Sequence, residues 1–396
     1  MKEGWKMVKL GEVCKIKGGS TPIKSNKLYW ENGTIPWFTV DDIREQGRII
    51  KYTNKNITEL AAQKLCVYPV DTILLCCTAS VGEYAITKIE TTSNQQFNGL
   101  MIKDKSILSP EYLFHLVSTF KDVLLKLSGK TTIDFVSVSK VSDIEIPLPP
   151  LEEQHRIVSI LDASFEKIDA LKKNAEENLK NAKALFQQVL AQELKPKEGW
   201  MEKKLGEVAD FVRGPFGGSL TKSIFKESGY AVYEQQHAIH HHVNIRYFID
   251  ENKFDEMKRF EVKPGDLIMS CSGTIGEVYI IPLDAPVGVI NQALLKLSVS
   301  SQLDRCYFKS WLESPIFKEI ILKYSKGAAI PNVPGVKILK DINIVLPPLE
   351  EQHRIVRTLD TLSEKCHRLE QVAQQTIREC DALKQSILRQ AFSGKL

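Results

Sequence analysis

The stretch LPPLEEQHRIV occupies Leu148–Val158 and recurs letter for letter at Leu346–Val356. The two copies lie 198 residues apart in a chain of 396, so half the length separates them and the chain is a tandem duplication. Weaker echoes hold nearly the same offset. EGWKMVKLGEV (Glu3–Val13) returns as EGWMEKKLGEV (Glu198–Val208), ASVGE (Ala79–Glu83) as GTIGE (Gly273–Glu277), and Asn94-Gln95 as Asn291-Gln292. Any fold for this sequence has to contain one kind of unit twice.

Each repeat reads as a globular module followed by a long helix. Short β-type runs punctuated by Gly, Pro, Asn and Asp mark the modules: TIPWFTV, DTILLCCTA and IEIPLP in the first, YAVYEQQ, GDLIMSCSG and VYIIPL in the second. One shorter helix is expected in each, over SPEYLFHLVSTFKDVLLKL and LDRCYFKSWLESPIFKEIILKY. After Pro149-Pro150 the pattern changes. Glu152 and Glu153 suit the positive end of a helix, and apolar residues then recur every seven positions at Leu161, Ile168, Ala175, Ala182 and Val189. Phe165, Leu179 and Phe186 follow three of these by four. The second copy runs through Leu359, Leu369, Ala373, Leu383 and Ile387, with Cys366 and Cys380 in the places of Ile168 and Ala182. Such helices, of about 40 residues and about 60 Å, need a partner for their apolar stripe. The other copy is the simplest one.

The fold class expected is therefore α+β: two α/β modules alternating with two long helices that pair as an antiparallel coiled coil, with pseudo-twofold symmetry and one module at each end. The expected segments are 1–148 and 197–346 for the modules, 149–196 and 347–396 for the helices. Composition sets the remaining bounds. With 43% hydrophobic and 26% charged residues and no apolar run near the ~20 needed to span a bilayer, the chain reads as an ordinary globular protein. MKEGWKMVKLGEV has no apolar signal core, and the eight cysteines form no C-x-x-C pair, which suits a reducing cytoplasmic setting. A net charge of +4 permits nucleic-acid binding without demanding it.

Two diverged modules, each opening with W…LGEV and then KGGSTP or VRGPFGGSL, alternate with two near-identical helices opening PPLEEQHRIV. In this the chain resembles, over essentially its whole length, the specificity subunits of type I restriction-modification systems. The resemblance implies that each module is a target-recognition domain reading half of a bipartite, asymmetric DNA sequence. It implies that the helices act as a ruler and dock two adenine-N6 methyltransferase subunits, which restriction subunits join. S-adenosylmethionine, Mg²⁺ and ATP then belong to those partners, and no cofactor or metal to this chain.

Base reading needs forked donors and acceptors on exposed loops, and phosphate binding needs cations and hydroxyls. In the first module Lys17, Ser20, Thr21, Lys24, Ser25 and Lys27 sit on a Gly-Gly loop, and Thr39 and Asp41 follow a core Trp37. Lys130, Thr131 and Thr132 align with a loop carrying Lys326 and Asn332 in the second. The second module adds Arg213, Ser219, Lys222, Gln235, Gln236 and His237. The run His237, His240, His241 and His242 invites a metal reading, but consecutive histidines in an extended segment point to opposite faces, and no Cys or acidic quartet lies nearby in sequence. Glu152, Glu153, His155, Arg156, Glu350, Glu351, His353 and Arg354 at the helix starts are candidates for partner contact, and Asp162 and Asp360 read as solvated helix charge. The chain has no GxxxxGK[ST] and no [ND]PP[YF] motif for adenine methylation, so catalysis is not expected of it. Two rivals stand beside this reading. A duplicated enzyme would need matched catalytic residues, and the matches Ser80/Thr274, Gly82/Gly276, Glu83/Glu277 and Asn94/Asn291 look structural. A coiled-coil scaffold with two protein-binding heads is the alternative.

Overall fold

The computed structural model describes residues 4–128, 135–216, 218–325 and 332–396. It divides into two units, one of residues 1–175 with 375–396, the other of residues 176–374. The class is α+β, as expected.

In the first unit, strand Lys6–Lys9 pairs antiparallel with Glu145–Leu148, the strand leading into the first long helix. The module is thereby closed at its root. Between these strands lie a five-stranded sheet, ordered Cys14–Gly18, Phe97–Ile102, Ile73–Cys76, Tyr84–Thr87, Ile49–Ile50, and a three-stranded sheet, ordered Asn56–Ile57, Ile35–Phe38, Thr92–Ser93. The second unit repeats this plan. Met201–Lys204 pairs with Asn343–Leu346, and two four-stranded sheets follow. One is ordered Ala209–Arg213, Leu294–Val299, Leu267–Ser270, Val278–Ile280, the other Phe248–Ile249, Tyr230–Tyr233, Gly288–Ile290, Glu261–Val262. The fully buried runs ILLC and LIMS are the central strands that hydrophobicity without alternation predicts.

Where one shorter helix was expected in each module there are two: Pro110–Val117 and Lys121–Ser128, then Arg305–Glu313 and Pro315–Ser325. The breaks have local causes. In the first, the hydroxyls of Ser118 and Thr119 donate back to the carbonyls of His115 and Leu116. In the second, Pro315 lacks the N–H that a continuing helix requires.

The long helices are Leu151–Glu193 and Leu349–Phe392. They run antiparallel within each unit. In the first, Arg156 reaches the carbonyl of Leu396 (2.8 Å) and Lys172 meets Asp381 (2.6 Å). In the second, Arg354 bonds Glu193 at 2.6 Å. The seam differs from the expected one in detail. Its buried residues are Leu161, Ile168, Ala175, Ala182 and Leu190 in one helix and Leu359, Cys366, Ala373, Cys380 and Leu388 in the other, whereas Leu369 and Leu383 are exposed. The spacing is seven, seven, seven and then eight in both. A strict heptad drifts ~20° per repeat on a helix of 3.6 residues per turn, and one step of eight restores the stripe.

The largest core cluster of each module is shared with the long helices. The first core joins Leu10, Leu75, Leu100, Tyr112, Leu116 and Ile146 to Ile157 and Leu161 of the first long helix and to Leu388 and Ala391 of the second. The second core joins Leu205, Met269, Leu297, Tyr307 and Trp311 to Leu190, Leu194, Ile355 and Leu359. At ~25 cal/mol per Å² of apolar surface removed from water, residues this deeply buried weld each module to both helices.

Candidate functional site

The repeated stretch itself forms a joint. Gln154, with no exposed surface, accepts from the backbone N–H of Ser109 (2.8 Å) and donates to the carbonyls of Ile107 (2.8 Å) and Pro149 (2.9 Å). Gln352 repeats this with Asp304 (2.8 Å), Gln302 (3.0 Å) and Pro347 (2.8 Å). One amide thus ties the Pro-Pro turn, the loop before the module's helices and the start of the long helix. Around it, Glu153 holds Arg156 in a forked pair (2.6 and 2.9 Å), while Glu351 holds Arg354, which also reaches Glu193. The Arg354 guanidinium, and after it Lys197, hold the Glu351 carboxyl below its ordinary range. Of the residues put forward for partner contact, Glu152, His155, Glu350 and His353 are exposed, and Glu153, Arg156, Glu351 and Arg354 are engaged within the joint. Asp162 also has a role: its carboxylate lies 2.8 Å from Nε2 of the buried His115, linking helix to module.

In each module four backbone segments converge on the turn where the chain crosses from one sheet to the other. Asn94 Oδ1 accepts from the N–H of Gln96 (3.0 Å) and Asn291 Oδ1 from that of Ala293 (3.0 Å), so both turns are Asx turns of one type. The loop after Cys14–Gly18, and after Ala209–Arg213 in the second module, lies against this turn. A side chain at Gly19 would begin 2.2 Å from the carbonyl oxygen of Asn94, and one at Gly214 1.8 Å from that of Asn291, so only glycine fits. The chain entering the short helix of each module bonds the turn from another side, Asn94 N–H to Phe38 O (3.1 Å) and Asn291 N–H to Tyr233 O (2.9 Å). A third segment joins through Cys77 N–H to Gln96 O (2.8 Å) and Cys271 N–H to Ala293 O (2.9 Å), and a fourth bridges onto it at Thr78 with Phe135 and Ser272 with Asn332. This is one scaffold with two sets of side chains.

The residues expected to read DNA distribute around it unevenly. Lys17, Ser20, Lys24, Ser25, Lys27, Asp41, Lys222 and Asn332 are exposed, and Ser219 is half-buried. Thr21 donates to Gln95, and the Trp37 indole, itself buried, donates to Ser20 O (3.2 Å), bracing the loop. Arg213 bonds Asn332 Oδ1 (2.8 Å), and Gln235 donates to Ser272 O (2.6 Å). Gln236 donates to Glu234 (3.0 Å). Lys130, Thr131, Thr132 and Lys326 lie outside the described residues.

Two of these polar groups also serve the backbone. Thr39, half-buried, is the N-cap of the helix Val40–Gln46, and its N–H and hydroxyl both bond the buried Asp42 (2.6 and 3.1 Å). His237 is fully buried and does the work of Asp42 in the second module, accepting from Glu234 N–H at Nδ1 (2.7 Å) and reaching Asn244 O from Nε2 (3.1 Å). A single proton on Nε2 satisfies both bonds, an assignment made from the hydrogen bonding. The histidine run is helical over Gln235–His240 rather than extended, and acidic neighbours come from elsewhere in the chain. His241, Glu277 and Glu313 place one ligand atom each within 4.8 Å of one another. Both carboxylates already face lysines, Lys318 at 3.5 Å and Lys309 at 2.8 Å.

Sequence reasoning passed over Gln154, Gln352, Gln95 and Gln292. For the first two the signal was present, since both glutamines belong to the repeated eleven. Glutamine in the first turn of a helix reads as a surface residue unless its burial is known.

Comparison with known proteins places these features in context. Residues 2–181 and 197–379 match the family described as the type I restriction modification DNA specificity domain. The type I restriction enzyme MjaIX specificity subunit of Methanocaldococcus jannaschii is 28% identical over 385 residues, covering 90% of this chain and 86% of that protein. The EcoBI specificity subunit of Escherichia coli is 22% identical over 423 residues, covering 100% and 86%. Among solved structures, a chain from work on complex assembly and conformational transition of the type I R-M system superposes with a TM-score of 0.81 at 24% identity, covering 100% of this chain and 99% of its own. The HsdS subunit from Thermoanaerobacter tengcongensis gives 0.61 at 24% identity, covering 100% and 98%. Those two likenesses concern the fold.

Proposed function

From the premise that the chain belongs to the type I restriction modification DNA specificity domain family, we propose that it is the sequence-reading subunit of a type I restriction-modification complex, non-catalytic by itself. Each module reads one half of a bipartite DNA target, and because the modules differ, the two halves differ. The observation that carries this reading is the repeated turn and the segments that meet on it: one backbone scaffold, present twice, bearing exposed cations and hydroxyls that differ between copies. A scaffold kept while its side chains change is what two different base sequences ask of one recognition device.

The finer assignments belong to the same proposal. Lys17, Lys24, Lys27 and Lys222 contact phosphates, and Ser20, Ser25, Asp41, Arg213, Ser219, Gln235, Gln236 and Asn332 lie toward the bases. The paired helices set the separation of the half-sites and present two similar surfaces to two methyltransferase subunits, with Glu152, His155, Glu350 and His353 at their starts. Restriction subunits complete the assembly, S-adenosylmethionine, Mg²⁺ and ATP act on those partners, and the complex works in the cytoplasm. No helix of the described residues is long and apolar enough to cross a membrane.

The test is to express the chain with its methyltransferase subunits and map N6-methyladenine across the genome. One asymmetric motif of two short half-sites around a fixed gap is expected. Methylation without a gapped motif, or a complex that fails to bind DNA at any salt concentration, would overturn the reading in favour of a protein-binding scaffold.

A further inference from the structure

We infer that Gln95 and Gln292 each read an A·T base pair, one in each half-site, as equivalent specificity-determining residues. The inference rests on the DNA-reading function proposed above and adds residues and a base to it. In both modules the turn is closed in the same way. The first residue's carbonyl accepts from the fourth residue's N–H, Asn94 O from Phe97 N–H (3.3 Å) and Asn291 O from Leu294 N–H (3.2 Å), and the Asx bond locks the middle. The fourth residue is fully buried, Phe97 or Leu294, which anchors the turn in the core. The second residue is glutamine, and in both copies its side chain is exposed.

A solvated glutamine at one turn means little. Two modules whose neighbouring loops have diverged nevertheless keep the same exposed, non-packing side chain at the tip of the same rigid turn, at the centre of the segments bearing the other candidate readers. Glutamine carries a carbonyl acceptor beside an amide donor, and that fork matches N6 and N7 of adenine in the major groove. In the first module the Thr21 hydroxyl donates to Gln95 Oε1, leaving the second lone pair of that oxygen and both amide hydrogens for a base. Thr21 is thus a positioning residue. Counting from the equivalent glycines Gly19 and Gly214, its place in the second module is taken by Phe216, which is 95% exposed. Gln292 therefore lacks that brace.

The experiment uses the full chain in complex with its methyltransferase subunits, scored by methylation mapping and by binding to duplexes carrying each base at each target position. For Gln95→Ala and Gln292→Ala the preference for adenine falls by roughly 5- to 150-fold at one position, each in a different half-site, with other positions unchanged. Gln292→Glu, whose carboxylate accepts from the cytosine N4 amine, moves the preferred base there from adenine to cytosine. Replacing the contacted adenine by 7-deazaadenine weakens the parent complex and leaves the matching alanine variant unaffected. Thr21→Ala weakens discrimination in the first half-site only, and Thr21→Ser restores it. If the parent chain yields its gapped motif and both alanine variants yield the same motif with the same discrimination, the inference is wrong and the function stands. If the parent yields no gapped motif, the function falls and takes the inference with it.

Discussion

Replacing Gln154 by alanine tests whether the repeated stretch is retained for the joint it makes. The side chain satisfies one buried donor, the N–H of Ser109, and two carbonyl acceptors, those of Ile107 and Pro149. An orphaned buried donor costs about 1–3 kcal/mol. The carbonyls add less, because an under-satisfied oxygen is better tolerated than an N–H, and the lost side-chain volume leaves a cavity. Together these give about 3–5 kcal/mol. For a unit of this size each kcal/mol moves the melting temperature by about 2–4 °C, so the transition should fall by about 6–20 °C. Gln154→Glu should be no milder at neutral pH, since it keeps the acceptor for Ser109 and turns a charge toward two carbonyl oxygens. Glu152→Ala and His155→Ala, exposed neighbours in the same eleven residues, should stay within about 0.5 kcal/mol. Thermal melts read by circular dichroism and by calorimetry distinguish these cases. A Gln154→Ala chain that melts within a degree or two of the parent would show that apolar contacts hold the joint and that the glutamine reasoning is wrong.

Other predictions follow from the same geometry. Glu351→Gln should destabilise the chain at pH 7. Because the folded carboxyl titrates below its ordinary value, the stability it contributes is complete above about pH 4.5 and is lost as pH falls through the folded value, so the gap between variant and parent should close in acid melts. Burial pushes the thiols of Cys14, Cys77 and Cys271 up to about 12, so iodoacetamide near pH 8 should label the half-buried Cys66 and Cys306 first and these three only after unfolding, read by peptide mass spectrometry. Lys24→Ala should lower the salt slope of DNA binding by about 0.9. Lys27→Ala should lower it less, because Glu31, at 3.3 Å, already offsets that charge, and equal slopes would remove the distinction.

The duplication, the long helices and their antiparallel pairing were legible because repetition and a 3.6-residue period survive translation into structure unchanged. The exact seam was not. Leu369 and Leu383 satisfied a local apolar pattern, yet each falls three residues past a buried cysteine, Cys366 and Cys380, about 60° off the buried stripe, and is exposed. Residue type anticipated exposure for the lysines on glycine-rich loops, where long polar side chains stay solvated, and missed the places where a polar side chain serves the backbone. Thr39 and His237 offer the donors and acceptors of a base reader, and the fold uses them as a helix N-cap and its partner. Gln154 and Gln95 carry identical chemistry, one buried in a joint and one exposed on a turn. Sequence records the amide, and only the fold decides which surface it meets.

Because the first core takes in Leu388 and Ala391, the order of synthesis opposes the order of completion. On a ribosome the first module emerges early, yet its apolar floor is covered only once residues 388–391 have followed, while the second unit, confined to residues 176–374, is whole sooner. Interrupting the chain between residues 375 and 388 would therefore damage the module made first and spare the one made second.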